Sequence, residues 1–204
     1  MKVFLASANA KKIVEMQRIL AEHAPGIEVL GIGDVEGYVE PVEDQPSFEG
    51  NALLKARAGV AATGLPSIAD DSGLCVDALN GMPGVLSARW SGQDKSDARN
   101  NELLLDQLRD VPDERRGAHF TCAVAWVMPD GRERVVEGRM DGRITREVRG
   151  SGGFGYDVVF VAVEHEADDL TSAELEPGEK DRISHRGRAL RALAPQVASD
   201  LSGD

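Results

Sequence analysis

The chain has 204 residues, 42% of them hydrophobic, and a formal net charge of −12 at pH 7. That length suits a single domain over residues 1–204 with a real core. The negative charge argues against a general nucleic-acid binder, which needs dense cationic surface, and no apolar run approaches the roughly 18 residues of a membrane helix. The apolar patch near the N-terminus is too short for the core of a signal peptide, so the cytoplasm is the expected location. Cys75 and Cys122 lack nearby Cys or His at zinc-site spacing and read as reduced, mostly buried thiols.

Val3 to Ala6 predicts a strand, after which Ile13, Met16, Ile19 and Leu20 recur at helical spacing. The turn between them offers helix-start N–H groups, the Ser7 hydroxyl, the Asn9 amide and Lys12, which together suit a polyphosphate tail. It is not a Walker A loop, and alone it reads equally as an ordinary N-cap with surface lysines. Glu28 to Gly31 predicts a second strand. The acidic stretch from Asp34 to Pro46 has no clean period and is read as an ordered working loop or else a mobile one. Of its acids Glu36, Glu40, Glu43 and Asp44, Glu43 ranks first and Glu40 second as a completing metal ligand.

Ser47 is placed to cap a helix running through Asn51, Leu54, Lys55 and Ala58 to about Thr63, stopped by Gly64 and Pro66. Ser67 to Ala69 then predicts a brief strand that delivers Asp70, Asp71 and Ser72 at its end. One of two adjacent carboxylates can ligate Mg²⁺ while the other positions or deprotonates water. Their mutual repulsion is easier to explain with a cation present, although an Asx-type turn with solvated acids is the plain alternative.

A helix is expected from about Asp94 to Arg109, then a hairpin of Ala118 to Met128 and Glu133 to Arg139 about the turn Pro129-Asp130-Gly131. Hairpin strands make the sheet antiparallel or mixed. Gly150, Gly152, Gly153 and Gly155 precede an expected strand from Val158 to Val163. Small residues there let backbone approach a ligand, Phe154 can stack on a planar base, and Asp157 can accept from base or sugar. Thr171 and Glu174 have capping-box spacing, and a last helix opens near Ser184 with Leu190, Leu193 and Val197 on one face. Lys180, His185 and Arg186 supply donors that suit the carbonyl of a 6-keto purine better than a 6-amino group. Singly, these segments also read as a core-bound aromatic in a glycine turn and a capped basic surface turn.

Taken in order, LASANAKK, SFEGNALLKARA, IADDSGLCVDALNGMPGVLSARWSG, GGFGYDVVF and ISHRGRAL closely resemble successive signature segments of the inosine/xanthosine triphosphate pyrophosphatase family, from Val3 to about Leu193. The resemblance implies an α/β fold, two-lobed, with a long mixed sheet flanked by helices and an active-site cleft between lobes. It also implies a homodimer and Mg²⁺-dependent hydrolysis of ITP, dITP, XTP or dXTP to monophosphate and pyrophosphate, which cleanses the nucleotide pool. By position, Ser7, Asn9 and Lys12 match the phosphate-tail loop, and Lys55 matches a lysine of the following helix. Asp71 matches the catalytic, metal-meeting acid, flanked by Asp70 and Ser72. Phe154, Gly155, Tyr156, Asp157, Lys180, His185 and Arg186 match the base and nucleoside pocket. The metal set expected is thus Asp71, Glu43, Asp70 and Glu40.

Two positions depart from the family pattern. Glu49-Gly50-Asn51 stands where members often have a second glutamate, and Val158 where many have proline. Gly50 is expected to weaken its helix by roughly 0.5–1 kcal/mol. Two other readings compete: a Maf-like pyrophosphatase for other modified nucleotides, and a nucleotide sensor that does not hydrolyse. The SHRG and FGYD wording disfavours the first, and the retention of Asp70, Asp71, Lys12, Lys55 and Lys180 disfavours the second.

Overall fold

A computed structural model describes residues 1–202. The chain runs β1 (Lys2–Leu5), α1 (Ala10–His23), β2 (Glu28–Leu30), α2 (Phe48–Thr63), β3 (Ser67–Val76), α3 (Asp97–Gln107), β4 (Gly117–Val127), β5 (Glu133–Ile144), β6 (Phe160–Ala162), α4 (Pro177–Ile183) and α5 (His185–Ser202). Six strands form one sheet in the order β2-β1-β3-β4-β5-β6. β1 pairs in parallel with β2 and β3, whereas β5 and β6 are antiparallel, so the sheet is mixed as expected.

The chain divides into two compact units. The first comprises Met1–Asp71, Cys122–Gly138 and the segment from Arg188 onward; the second comprises Ser72–Thr121 and Arg139–Gly187. In the first, the apolar stripe of α1 (Met16, Ile19, Leu20) and that of α5 (Leu190, Leu193, Val197) bury with Val3, Leu5 and Trp126. Gly59 lets α2 lie close to β1, since a Cβ there would stand 2.6 Å from the Phe4 ring. Ser47 caps α2 through its hydroxyl, which accepts from the Gly50 amide, and Gly64 ends the helix at φ 67° in the left-handed region. The second unit buries Leu74, Leu104, Leu108, Phe120, Met140, Tyr156 and Phe160. Arg116, 2% exposed, threads this unit, donating to the carbonyls of Ile144, Leu108 and Thr145 at 2.9, 2.6 and 2.6 Å.

Several elements differ from the sequence expectation. β3 spans 10 residues, so Asp70, Asp71 and Ser72 lie in mid-strand rather than at its end. The strand continues because Leu74 and Val76 alternate into the second unit's core, a period that the polar Asp-Asp-Ser-Gly run hides in the sequence. β5 likewise extends past Arg139 to Ile144, with Met140 and Ile144 buried between exposed charges. α3 begins at Asp97, where Ser96 supplies the cap, and ends at Gln107. β6 shrinks to three residues because Asp157–Val159 close a 3-10 turn instead. Thr171 and Glu174 do form the reciprocal contact of a capping box, the Thr171 amide donating to Glu174 Oε2 at 2.8 Å, but they close a turn. Helix α4, which carries Lys180, starts only at Pro177 and escaped the periodicity reading because its seven residues bury none of their side chains.

Candidate active site

In the first unit the chemistry gathers around β3. Asp70 and Asp71 are consecutive strand residues, so their carboxylates leave on opposite faces. Asp70 is met by Lys12, whose Nζ lies 2.8 and 3.0 Å from its two oxygens. Lys12 is placed there by the start of α1, where Asn9 Oδ1 accepts from the Lys12 amide at 3.4 Å and Ser7 Oγ accepts from the Asn9 amide at 3.2 Å. Asp71 is served by α2. Asn51 and Lys55 stand four residues apart on one helix face. Asn51 Nδ2 donates to Asp71 Oδ2 at 3.0 Å, while Lys55 Nζ lies 3.6 Å from Oδ1 and 2.7 Å from Glu43 Oε1. The other end of the Asn51 amide accepts from the Gln45 amide at 3.0 Å, so one side chain, 1% exposed, ties the acidic loop to the acid.

Three carboxylates, Asp70, Asp71 and Glu43, thus surround two ammonium groups. Burial pushes the Asp71 carboxyl up; the Lys55 charge and the Asn51 hydrogen bond oppose this, Glu43 and Asp70 reinforce it, and the outcome is a raised pKa. Burial works to lower the Lys55 ammonium, yet Asp71 and the Glu43 hydrogen bond outweigh it and its pKa rises. A hard-oxygen cluster with one negative charge in excess is chemically suited to a further small cation. Among the described residues, however, no three His, Cys, Asp or Glu side chains are grouped as a metal cage, because lysines stand among the acids. Glu40 and Glu36 are exposed, and Asp44 accepts from its neighbour Gln45 at 2.7 Å. The expected four-acid metal set is therefore not drawn together: Glu43 joins Asp71 through Lys55, whereas Glu40 faces solvent near Tyr38, whose hydroxyl is pushed up to about 12 by burial and then by Glu40 and Glu43.

The second unit holds the glycine-rich loop. Gly152 donates to the Ala173 carbonyl at 2.9 Å, and a Cβ on Gly153 would stand 2.2 Å from Asp157 Oδ2 at a φ of +72° that side chains avoid. Asp157, 5% exposed, accepts from the Phe154 amide at 2.8 Å and from the Lys180 ammonium. Phe154 itself is 62% exposed, with Lys180 Nζ 5.2 Å and Arg186 Cζ 5.9 Å from its ring centre. Ser184 Oγ accepts from the Gly187 amide at 3.0 Å and so caps α5, which begins with His185 stacked on Phe120 at 4.9 Å. An open aromatic face bordered by two cations, with an imidazole at the adjoining helix start, is a surface for a planar, carbonyl-bearing ring.

The model of the Ham1 family matches residues 3–196. The chain belongs to the Ham1 family. It is 58% identical over 199 residues to the dITP/XTP pyrophosphatase of Nocardia farcinica, covering 97% of this chain and 95% of that one. It is 56% identical to the dITP/XTP pyrophosphatase of Corynebacterium efficiens, with both chains covered to 100%. Among solved structures it resembles the nucleoside-triphosphatase / dITP/XTP pyrophosphatase of Mycobacterium abscessus with a TM-score of 0.80 at 56% identity, covering 96% of this chain and 100% of that one. The Ham1 protein of Staphylococcus aureus gives a TM-score of 0.88 at 36% identity, with 98% and 100% covered.

Within this Ham1 chain the sequence-predicted residues fall into two groups. Ser7, Asn9, Lys12, Glu43, Lys55, Asp70 and Asp71 belong to the first unit, and Ser72, Phe154, Gly155, Tyr156, Asp157, Lys180, His185 and Arg186 to the second. Tyr156 differs in kind from the rest: it is 4% exposed, donates to the Ser87 carbonyl at 2.9 Å, and burial raises its hydroxyl pKa, so it anchors the loop. Sequence reading missed Asn51 as a partner of Asp71. The usable signal was its four-residue spacing from Lys55 on the same helix.

Proposed function

We propose that this chain hydrolyses non-standard purine nucleoside triphosphates, of the inosine and xanthosine kind, to monophosphate and pyrophosphate with Mg²⁺ as cofactor. The observation that carries this reading is Asp71: a partly buried carboxyl with a raised pKa, oriented by Asn51 and sharing the Lys55 ammonium with Glu43. The names of the relatives supply the substrate class, dITP and XTP.

The α1 start receives the phosphate tail through the positive end of the helix, the Ser7 hydroxyl and the Asn9 side-chain amide. Lys12 and Lys55 exchange their carboxylate partners for phosphate oxygens as the tail enters. Glu43 and Asp71, which share the Lys55 ammonium, are the oxygen donors that would hold Mg²⁺; Asp70, on the opposite face of β3, serves Lys12. When bound, Mg²⁺ offsets phosphate charge and polarises the P–O bond. Asp71, whose raised pKa favours proton uptake, takes the proton of the attacking water, and pyrophosphate leaves in one piece. Phe154 stacks on the base, and Lys180, His185 and Arg186 donate toward its 6-oxo group.

The test is pyrophosphate release from ITP, dITP, XTP, GTP, ATP and UTP, with and without Mg²⁺. Release is expected from the first three, with Mg²⁺, well above the others. Absence of release from every substrate, or release of orthophosphate one unit at a time, would overturn the reading.

A further inference from the structure

Gly155 sits at the turn of the exposed base-facing loop with φ +60°, in the left-handed region. Both of its backbone polar groups are claimed by the first two turns of α3. Its N–H donates to Asp97 Oδ2 at 2.7 Å, and its carbonyl accepts from Asn101 Nδ2 at 2.8 Å. The same Asn101 nitrogen donates to the Asp97 carbonyl at 2.8 Å. Since both neighbours of that nitrogen are carbonyl oxygens, the amide has one permitted orientation.

The preceding residue works on the other side of the loop. Asn100 Nδ2 donates to the carbonyls of Ser87 and Ala88 at 3.4 and 3.2 Å, and the Ser87 carbonyl is also the acceptor for the Tyr156 hydroxyl at 2.9 Å. Asn100 and Asn101 are 2% and 3% exposed. Asparagine disfavours helix interiors, because its side chain competes for backbone partners, and two in succession inside α3 are a local cost that helix formation does not explain. Their amides are used instead on backbone partners: Asn101 holds the Gly155 carbonyl, and Asn100 holds the Ser87 carbonyl that also accepts the Tyr156 hydroxyl.

We infer that Asn101, seconded by Asp97, is a positioning residue that fixes the Gly155 backbone and thereby the Phe154 ring, and so sets selectivity for the base. This rests on the reading of the Phe154 loop as the base pocket. Neither side chain touches the substrate; they act through the peptide groups on either side of Gly155. The donor–acceptor pattern dictates which substitutions matter. Asn101→Asp replaces the donor with an oxygen facing two carbonyls, while Asp97→Asn keeps an acceptor for the Gly155 amide and Asp97→Ala removes it.

The experiment compares Asn101→Asp, Asp97→Ala and Asp97→Asn with the parent protein. It reads kcat and KM for ITP and for ATP, together with hydrogen exchange of the Gly155 amide by NMR. Asn101→Asp and Asp97→Ala are expected to raise KM for ITP about tenfold, the scale of one lost buried hydrogen bond, with kcat little changed. The ITP-to-ATP ratio of kcat/KM falls accordingly, the Gly155 amide exchanges faster, and Asp97→Asn stays near the parent in all readouts. Should Asn101→Asp fail to fold, Asp97→Ala carries the test, because Asp97 is an exposed residue of the first turn. Unchanged selectivity in the folded variants, or a fall in kcat alone, overturns the inference. So does unchanged exchange at Gly155. If the parent protein releases no pyrophosphate, the proposed function fails, and the Gly155 exchange rate still decides whether Asn101 and Asp97 hold the loop.

Discussion

Two aspartates of the first unit, the buried Asp200 and the partly buried Asp71, have opposite surroundings. Asp200 on α5 accepts from Trp126 Nε1 and Arg134 Nε at 3.0 Å each, from Arg132 Nη1 at 2.8 Å and from Arg134 Nη2 at 3.2 Å. Four donors saturate the carboxylate, and its pKa falls, chiefly through the Arg134 hydrogen bonds and against the effect of burial. Asp71 has one hydrogen bond, from Asn51, with the Lys55 ammonium at 3.6 Å and two further acids nearby, and its pKa rises. Both are acids beside basic side chains; they differ in how many donors satisfy them and in the two acids that crowd Asp71. Under the proposed function, the saturated one stabilises the fold and the underserved one is the group left for chemistry.

The largest effect expected from this contrast is on turnover. Asp71→Asn should lower kcat for ITP by about 10²–10⁴-fold, the range for a proton-transferring group. Its effect on stability should have the opposite sign. Because the folded pKa of Asp71 lies above its unfolded value, its favourable contribution is present below the unfolded pKa of about 3.9 and is lost as pH rises through the folded pKa. In metal-free buffer at pH 7, Asp71→Asn should therefore raise Tm, and the gain should vanish below about pH 4. Added Mg²⁺ should raise the Tm of the parent more than that of the variant, since only the parent keeps the full donor set. A calorimetric scan showing Asp71→Asn less stable at neutral pH without metal would break the comparison.

The complementary substitution should affect stability and leave the chemistry alone. Asp200→Ala strands the indole N–H of Trp126, which is fully buried, at a cost of about 1–3 kcal/mol. For a chain of this size that is a fall in Tm of about 2–12 °C, with kcat unchanged at 25 °C. The pH dependence should mirror that of Asp71. A depressed pKa gives stability that is present above the unfolded value of about 3.9 and lost as pH falls through the folded one. The gap between parent and Asp200→Ala in urea unfolding should thus be widest near pH 7 and narrow toward pH 3. A gap that stays constant over that range would mean that the carboxylate charge contributes nothing beyond shape.

The contrast also shows what the sequence could and could not carry. Strand β1, helix α1 and the Ser47-to-Gly64 bounds of α2 were legible because apolar period, cap and stop signals agree there. The acid pair at Asp70 and Asp71 was legible as chemistry but misplaced, since four polar or small residues mask a strand that continues to Val76. Asp200 gave no sign of importance, because its partners Trp126, Arg132 and Arg134 come from distant β4, the turn that follows it, and β5. Asn51 and Asn101 were missed for a related reason. An amide that works by holding backbone shows only as a poor helix former in an otherwise regular helix.

The smallest expected effect tests how tightly Asp71 is held. Gly50 was read as a weakness in α2, yet a Cβ there would stand 2.8 Å from Gln45 Cβ and 3.2 Å from Ser47 Oγ. Gln45 is the residue whose amide Asn51 accepts, and Asn51 in turn orients Asp71. Glycine at this position therefore permits the acidic loop to approach the start of α2 and keeps the Gln45–Asn51–Asp71 chain closed. In an open helix, Gly→Ala gains about 1 kcal/mol. Gly50→Ala should gain less than that in urea unfolding, because Gln45 must shift, and should lower kcat for ITP about two- to threefold through the displaced Asn51. The full helix gain with unaltered kcat would show that Gln45 moves aside freely, and that Asn51 holds Asp71 without help from the loop.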